Sequence, residues 1–265
     1  MKHRVNARQG HRHQRDVPVP STRSLPPDSL AFALLNAAGL VAAVMDGRAL
    51  TEALEALWAG GKTWTPSQRG AIQDLAYQCL RDHGRGREVL ARFLARPTPV
   101  PVEALLLVSV SRLAVEPDAA HTIVDQAVRA AELINPAFKG LVNGVLRNLL
   151  RQPPRPPVSD EARHRHPAWW VARLRRAFPD DWRQVVDAGN QHPPMSLRVN
   201  RQRRGVEEVL AELEAAGIPA RVVGPHALRL ERPVPVQRLP GFAAGNLSVQ
   251  DAGAQHAAPW LDLRP

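Results

Sequence analysis

Cysteine is nearly missing. The 265 residues contain one, Cys79, so no disulfide can close within the chain. That excludes the small secreted scaffolds held by such bridges and fits a reducing, cytoplasmic setting. Aromatic residues are also scarce, at 5% with a single tyrosine. Ala, Leu and Val must therefore fill most of the core, which favours helices over a β-sandwich. No apolar run approaches the ~18–20 residues that a membrane-spanning helix needs. The N-terminus is basic but has no apolar segment behind it, unlike a secretory signal. Acidic residues are outnumbered, with 25 Asp plus Glu against 35 Lys plus Arg for a net charge of +10, and most of the cations are arginine. The planar guanidinium fork suits phosphate, so the excess points to nucleic acid or an acidic membrane surface. An arginine-favouring codon usage would raise the same count.

What is present falls into blocks. Residues 1–28 are rich in Arg, His, Gln and Pro and read as a disordered basic tail. From 29 to 150 the spacing predicts an all-α domain of six or seven helices joined by short turns. Thr65-Pro-Ser-Gln68 is a capping box with proline at the first helical position. Cys79 falls on the apolar stripe of the helix that follows and reads as a small core residue. Residues 102–115 are apolar on nearly every side, which marks a helix central to its bundle. The block closes with Asn135-Pro136, a start signal. Then Phe138, Leu141, Val142, Val145, Leu146 and Leu149 recur along one helical stripe. Lys139, Asn143 and Arg147 stand in a row on the opposite side, beside Gly140 and Gly144.

Residues 151–160 carry four prolines between Arg151 and Pro157 and read as an extended linker and domain boundary. Residues 161–265 follow a different pattern. Two helices come first, one bearing Trp169 and Trp170 with Arg173, Arg175 and Arg176. Met195–Asn200 then alternates like a strand and runs into a basic turn with Arg201, Arg203 and Arg204. A helix over 206–216, strands over 220–223 and 227–231, and a strand over 246–250 complete a small α+β unit of split βαβ, RRM-like type. Arg173 with Arg176, and Arg198 with Arg201, join the Lys139–Asn143–Arg147 row as candidate RNA contacts. Guanidinium groups would take phosphates, and Asn143 could read a base edge or a 2′-hydroxyl. The tryptophans are candidates to stack on bases, with at least one expected in the core.

Two stretches also carry a resemblance. Phe138-Lys-Gly-Leu-Val-Asn-Gly-Val-Leu-Arg-Asn148, with Ala120–Val128 before it, resembles the closing helices of NusB-like domains. Pro193-Pro-Met-Ser-Leu-Arg-Val-Asn200, Leu239-Pro-Gly-Phe242 and Ser248-Val-Gln-Asp-Ala-Gly-Ala-Gln255 are similar to the pattern of RsmB-type (Sun/Fmu) 16S ribosomal RNA cytosine-C5 methyltransferases. The resemblance implies a mainly α fold, a NusB-like bundle followed by a small α+β RNA-binding segment, ahead of a Rossmann-like catalytic domain. It also implies S-adenosylmethionine as cofactor, small-subunit ribosomal RNA as partner, and two cysteines in that catalytic domain. No glycine-rich cofactor loop and no second cysteine occur in these 265 residues, so the expectation is an RNA-binding part with no catalytic residue, cofactor site or metal of its own. The alternative is a non-enzymatic NusB-like antitermination factor that binds RNA and a ribosomal or transcription-complex protein.

Overall fold

The computed structural model describes residues 25–60 and 63–261. Most of the basic tail, residues 1–24, lies outside them. The chain divides into two compact units between Val186 and Asp187.

The first unit is helical. Its elements are α1 (Leu30–Met45), α2 (Leu50–Ala59), α3 (Pro66–Arg81), α4 (His83–Leu90), α5 (Val100–Val115), α6 (Ala120–Ile134) and α7 (Lys139–Arg151). Ser29 caps α1 through its hydroxyl, which accepts from Phe32 N. Thr65 and Gln68 form the expected capping box on α3. α5 is buried from Val102 through Leu107 and Val110 to Leu113, as its all-round apolar pattern requires. The ordered core starts earlier than the composition suggests. Leu25 packs against it, and Asp28 accepts a hydrogen bond from Gln68, so residues 25–28 belong to the fold rather than to a tail.

The proline-rich stretch is not where this unit ends. Beyond it come α8 (Asp160–His164), α9 (Ala168–Ala177) and α10 (Trp182–Gly189). α8 docks on α4. One Glu88 carboxylate oxygen accepts from Val158 N (2.8 Å), and the other accepts from Ser159 N (2.8 Å) and Ser159 Oγ (2.6 Å). Arg165 pairs with Asp82 at 3.1 Å. A Cβ on Gly84 would lie 2.5 Å from Glu161 Cγ, so the two helices approach where α4 has no side chain. The prolines stop a helix, but Glu88 of α4 and Asp82 just before it draw the chain back. The first compact unit runs to Val186, past the proline stretch.

The second unit holds β1 (Ser196–Val199), α11 (Val206–Ala215), β2 (Ala220–Gly224), β3 (Ala227–Leu230), β4 (Leu247–Val249) and a short α12 (Ala257–Trp260). The sheet is antiparallel throughout, in the order β2-β3-β1-β4. β1 and β2 are thus parallel to each other, linked by α11 and split by β3, which is the expected split βαβ arrangement. Leu197, Val199, Leu228, Leu230 and Leu247 pack with Val206, Val209 and Leu213 of α11. Residues that alternate with them point to the other face. Among the described residues, no helix is long and apolar enough to cross a membrane.

Candidate nucleic-acid interface

The α7 row forms as its periodicity indicates, with a different start. The Asn135 side chain accepts from Ala137 N at 3.0 Å, but Pro136–Phe138 is a single tight 3₁₀ turn and the α-helix opens at Lys139. Val142, Val145 and Leu146 are buried, while Phe138, Leu141 and Leu149 pack at the margin of the core. That turns Lys139 and Arg147 outward, with Asn143 half-buried between them. Lys139 already pairs with Glu132 at 3.0 Å, both ends half exposed. Such a pair is worth only about 0–1 kcal/mol, so a phosphate can displace the carboxylate at little cost. A Cβ at Gly140 or Gly144 would meet nothing within 4 Å. These glycines therefore relieve no close packing; they leave the strip low beside the polar row.

On α9, Trp169, Arg173 and Arg176 stand at helical spacing on one exposed face. Trp169 is 63% exposed. Trp170 is half-buried and stacks on His166, with centroids 4.5 Å apart and planes 16° apart. Arg175 belongs to a different environment. It grips both Asp160 oxygens, at 2.7 and 3.0 Å, and lies over the Trp182 ring at 4.4 Å. Arg173 and Arg176 pair with no carboxylate among the described residues.

The basic turn after β1 divides the same way. Arg203 donates to Ala244 O, and Arg204 reaches Glu208 and Glu212 at 4.0 and 3.7 Å. The Asn200 side chain accepts from Gln202 N (3.2 Å) and donates to Gly245 O (3.1 Å), which ties the turn to the loop before β4. Arg198 and Arg201 are exposed and unpaired among the described residues, and they border an open cleft of about 500 Å³. Gln202, His226 and Ser248 complete its polar lining. The His226 Nδ1 is buried with no hydrogen-bond partner. The sequence reading missed these last three. Strand alternation carried a signal for Ser248, which lies directly across from Arg198, whereas His226 arrives through the β2–β3 hairpin turn and had none.

The chain's single thiol lies away from these residues, in the helical core. Cys79 is 2% exposed, and burial, reinforced by the Asp82 charge, pushes its thiol up to about 12. A thiol held protonated in this way is inert. Among the described residues, no three His, Cys, Asp or Glu side chains gather closely enough to hold a metal ion.

Comparison with known proteins matches both halves. Residues 30–151 match the family model described as NusB family, and residues 166–237 match the one described as the Methyltr_RsmF/B-like, ferredoxin-like domain. The chain is 36% identical over 202 residues to the ribosomal RNA small subunit methyltransferase B of Escherichia coli O6:H1, covering 73% of this chain and 47% of that protein. The proteins of the same name from Escherichia coli O127:H6 and Shigella boydii serotype 18 are 37% identical with the same coverage. The chain thus spans about half the length of the curated relatives it matches. A solved structure titled "Crystal Structure of PH0851" superposes with a TM-score of 0.59 at 19% identity, over 91% of this chain and 57% of that one. At that identity the likeness speaks for the fold alone.

Proposed function

The succession of a NusB domain and an RsmF/B-like ferredoxin-like domain makes this an RsmB-type chain, and on that premise we propose that it is the part of a ribosomal RNA methyltransferase that grips the RNA. The observation that carries the reading concerns the arginines of the α7 row, of α9 and of β1 with its turn: among the described residues Arg147, Arg173, Arg176, Arg198 and Arg201 are exposed and pair with no carboxylate, while Arg175, Arg203 and Arg204 are tied into the fold. Lys139 and Asn143 extend the first cluster. The substrate we assign is small-subunit (16S) ribosomal RNA, the target atom cytosine C5 and the location the cytoplasm. The relatives' names support the first of these assignments.

S-adenosylmethionine would supply the methyl group. The described residues do not fit it. The sheet is antiparallel, and the turn from β1 into α11 is filled by arginines and closed by Glu208 on Gly205 N, with no glycine-rich cradle. In this reading the described residues contribute binding, positioning and charge neutralisation. The alternative of a stand-alone antitermination factor leaves the ferredoxin-like unit without a task.

The test is binding of 16S RNA by the 265-residue chain across a salt series. If each of these five arginines takes one phosphate of single-stranded RNA, log K falls against log salt with a slope of about −3.5 from them. No binding, or affinity indifferent to salt, refutes the reading.

A further inference from the structure

One cluster of charge in the second unit is unaccounted for. Arg221 of β2 stands directly across from Arg229 of β3, and Arg229 directly across from Ser196 of β1. Arg198 lies two residues beyond Ser196, so alternation puts it on the same face. It also faces Ala227 on one side and Ser248 on the other. This is the face opposite α11, since Leu197, Leu228 and Leu230 occupy the α11 side. Arg198 and Arg221 are exposed and Arg229 is half-buried, while Ser196 and Ala227 between them are buried. The guanidinium groups, not the backbone, are what this face presents.

Like charges directly opposite on neighbouring strands destabilise a sheet. Here no strand contributes a carboxylate, because β1 to β4 read SLRV, ARVVG, ALRL and LSV. No ion pair to Arg198, Arg221 or Arg229 forms among the described residues. The repulsion is therefore uncompensated in the free protein, and a polyanion laid across the strands would relieve it. The cleft of about 500 Å³ is lined by Arg198, Ser248 and His226 together with the turn residues Asn200, Arg201 and Gln202. Its size and its lining, polar through Arg198, His226 and Ser248 and apolar through Val199 and Leu247, suit one nucleotide turned out of a strand.

We propose that this sheet face is a track for single-stranded RNA, in which Arg221, Arg229 and Arg198 hold successive phosphates and the cleft beside Arg198 and His226 receives one unpaired nucleotide. The proposal rests on the reading that the chain grips RNA and extends it to two arginines, Arg221 and Arg229, that the reading does not use. Phosphates would stand where the sheet now has only mutual repulsion, and unpaired bases would be favoured because a duplex cannot send one into the cleft.

The experiment measures binding of a labelled single-stranded 12-mer RNA by the full chain and by R221A/R229A, from 50 to 200 mM salt. Two lost phosphate contacts should flatten the slope by about 1.4, so that this four-fold rise in salt costs the wild type about seven-fold more affinity than the variant. The R221K/R229K variant should keep the wild-type slope, since charge rather than fork geometry sets it. S248W, which fills the cleft, should erase the preference for single strands over a duplex of the same sequence while leaving the slope in place. A slope unchanged in R221A/R229A overturns the track, even if 16S RNA binding stands. Equal affinity of the wild type for single strand and duplex overturns the cleft. A wild-type chain that binds no RNA sinks both this proposal and the reading beneath it.

Discussion

Replacing Glu88 by alanine should release α8 without unfolding the bundle. The Glu88 carboxylate accepts three hydrogen bonds at 2.6–2.8 Å from Val158 and Ser159. Ser159 is itself the N-cap of α8, its hydroxyl accepting from Ala162 N at 3.2 Å. One side chain thus holds both the end of the proline stretch and the first turn of the helix. In an exposed site, donors freed by the mutation return to water, so each bond contributes a fraction of what it would in a core. The sum is about 1–2 kcal/mol, equivalent to a factor of roughly 5–30 in the undocked population. Trypsin reads that population, because Arg163 and Arg165 lie in and just after α8 and become cleavable only when the segment opens. E88A should be nicked at these two sites about 5–30 times faster than the wild type, and E88Q at an intermediate rate. Equal nicking rates would refute the clamp. Faster cleavage spread over α1 to α7 would refute local release in favour of general destabilisation.

Further expectations follow from neighbouring features. The hydrogen bonds from Ser159 hold the Glu88 carboxyl below its ordinary range, and Arg175 does the same for Asp160. A depressed carboxylate stabilises the fold above its unfolded pKa and loses that contribution as pH falls through its folded one. Amide protection factors over residues 158–166, which take out the intrinsic pH dependence of exchange, should therefore fall below about pH 4, and less so in E88Q. Gly70 and Gly84 should respond oppositely to alanine. Gly70 has open space and gains up to ~1 kcal/mol of helix propensity, whereas Gly84 meets Glu161 at 2.5 Å and pushes α8 away, with thermal midpoint and nicking rate as readouts. L146A removes a fully buried side chain and should cost about 2–5 kcal/mol, lowering the midpoint by about 4–20 °C. Cys79 should resist thiol reagents at pH 8 until the protein is denatured, and rapid native labelling would contradict its burial.

What could be read without coordinates was what neighbouring residues decide among themselves. The Thr65–Gln68 box, the apolar stripe of α7 and the alternation of β1 depend on spacings of a few residues, and each appears where those spacings put it. Charge was legible as an amount but not as an availability. Arg173, Arg175 and Arg176 look equivalent in a string of letters. Asp160, 15 residues away, removes only Arg175 from the exposed set. The same holds for Arg203, claimed by the Ala244 carbonyl, and for Arg204, claimed by Glu208 and Glu212. The docking of the chain beyond the prolines was hidden for a related reason: proline speaks to local backbone, and the partner that recaptures the chain, Glu88, lies 70 residues back. The Arg221–Arg229 juxtaposition was hidden because it depends on strand register, which a β-bulge between Val222 and Gly224 adjusts.

The strand order β2-β3-β1-β4 also bears on how the second unit assembles. β2 and β3 are joined by a turn at Pro225–His226, so they can pair as a hairpin within about 1–10 μs. β1 has no such neighbour. It must wait for α11 and the hairpin before Leu197 can meet Leu228, and β4 joins only after the longer loop from Glu231 to Asn246 has closed. Loop length therefore favours building the sheet from one rim toward the other, with the strand that carries Arg198 seated in its middle after the rim has formed. A lesion in the β2–β3 turn would slow the arrival of every later strand, while one in β4 would leave the first three paired.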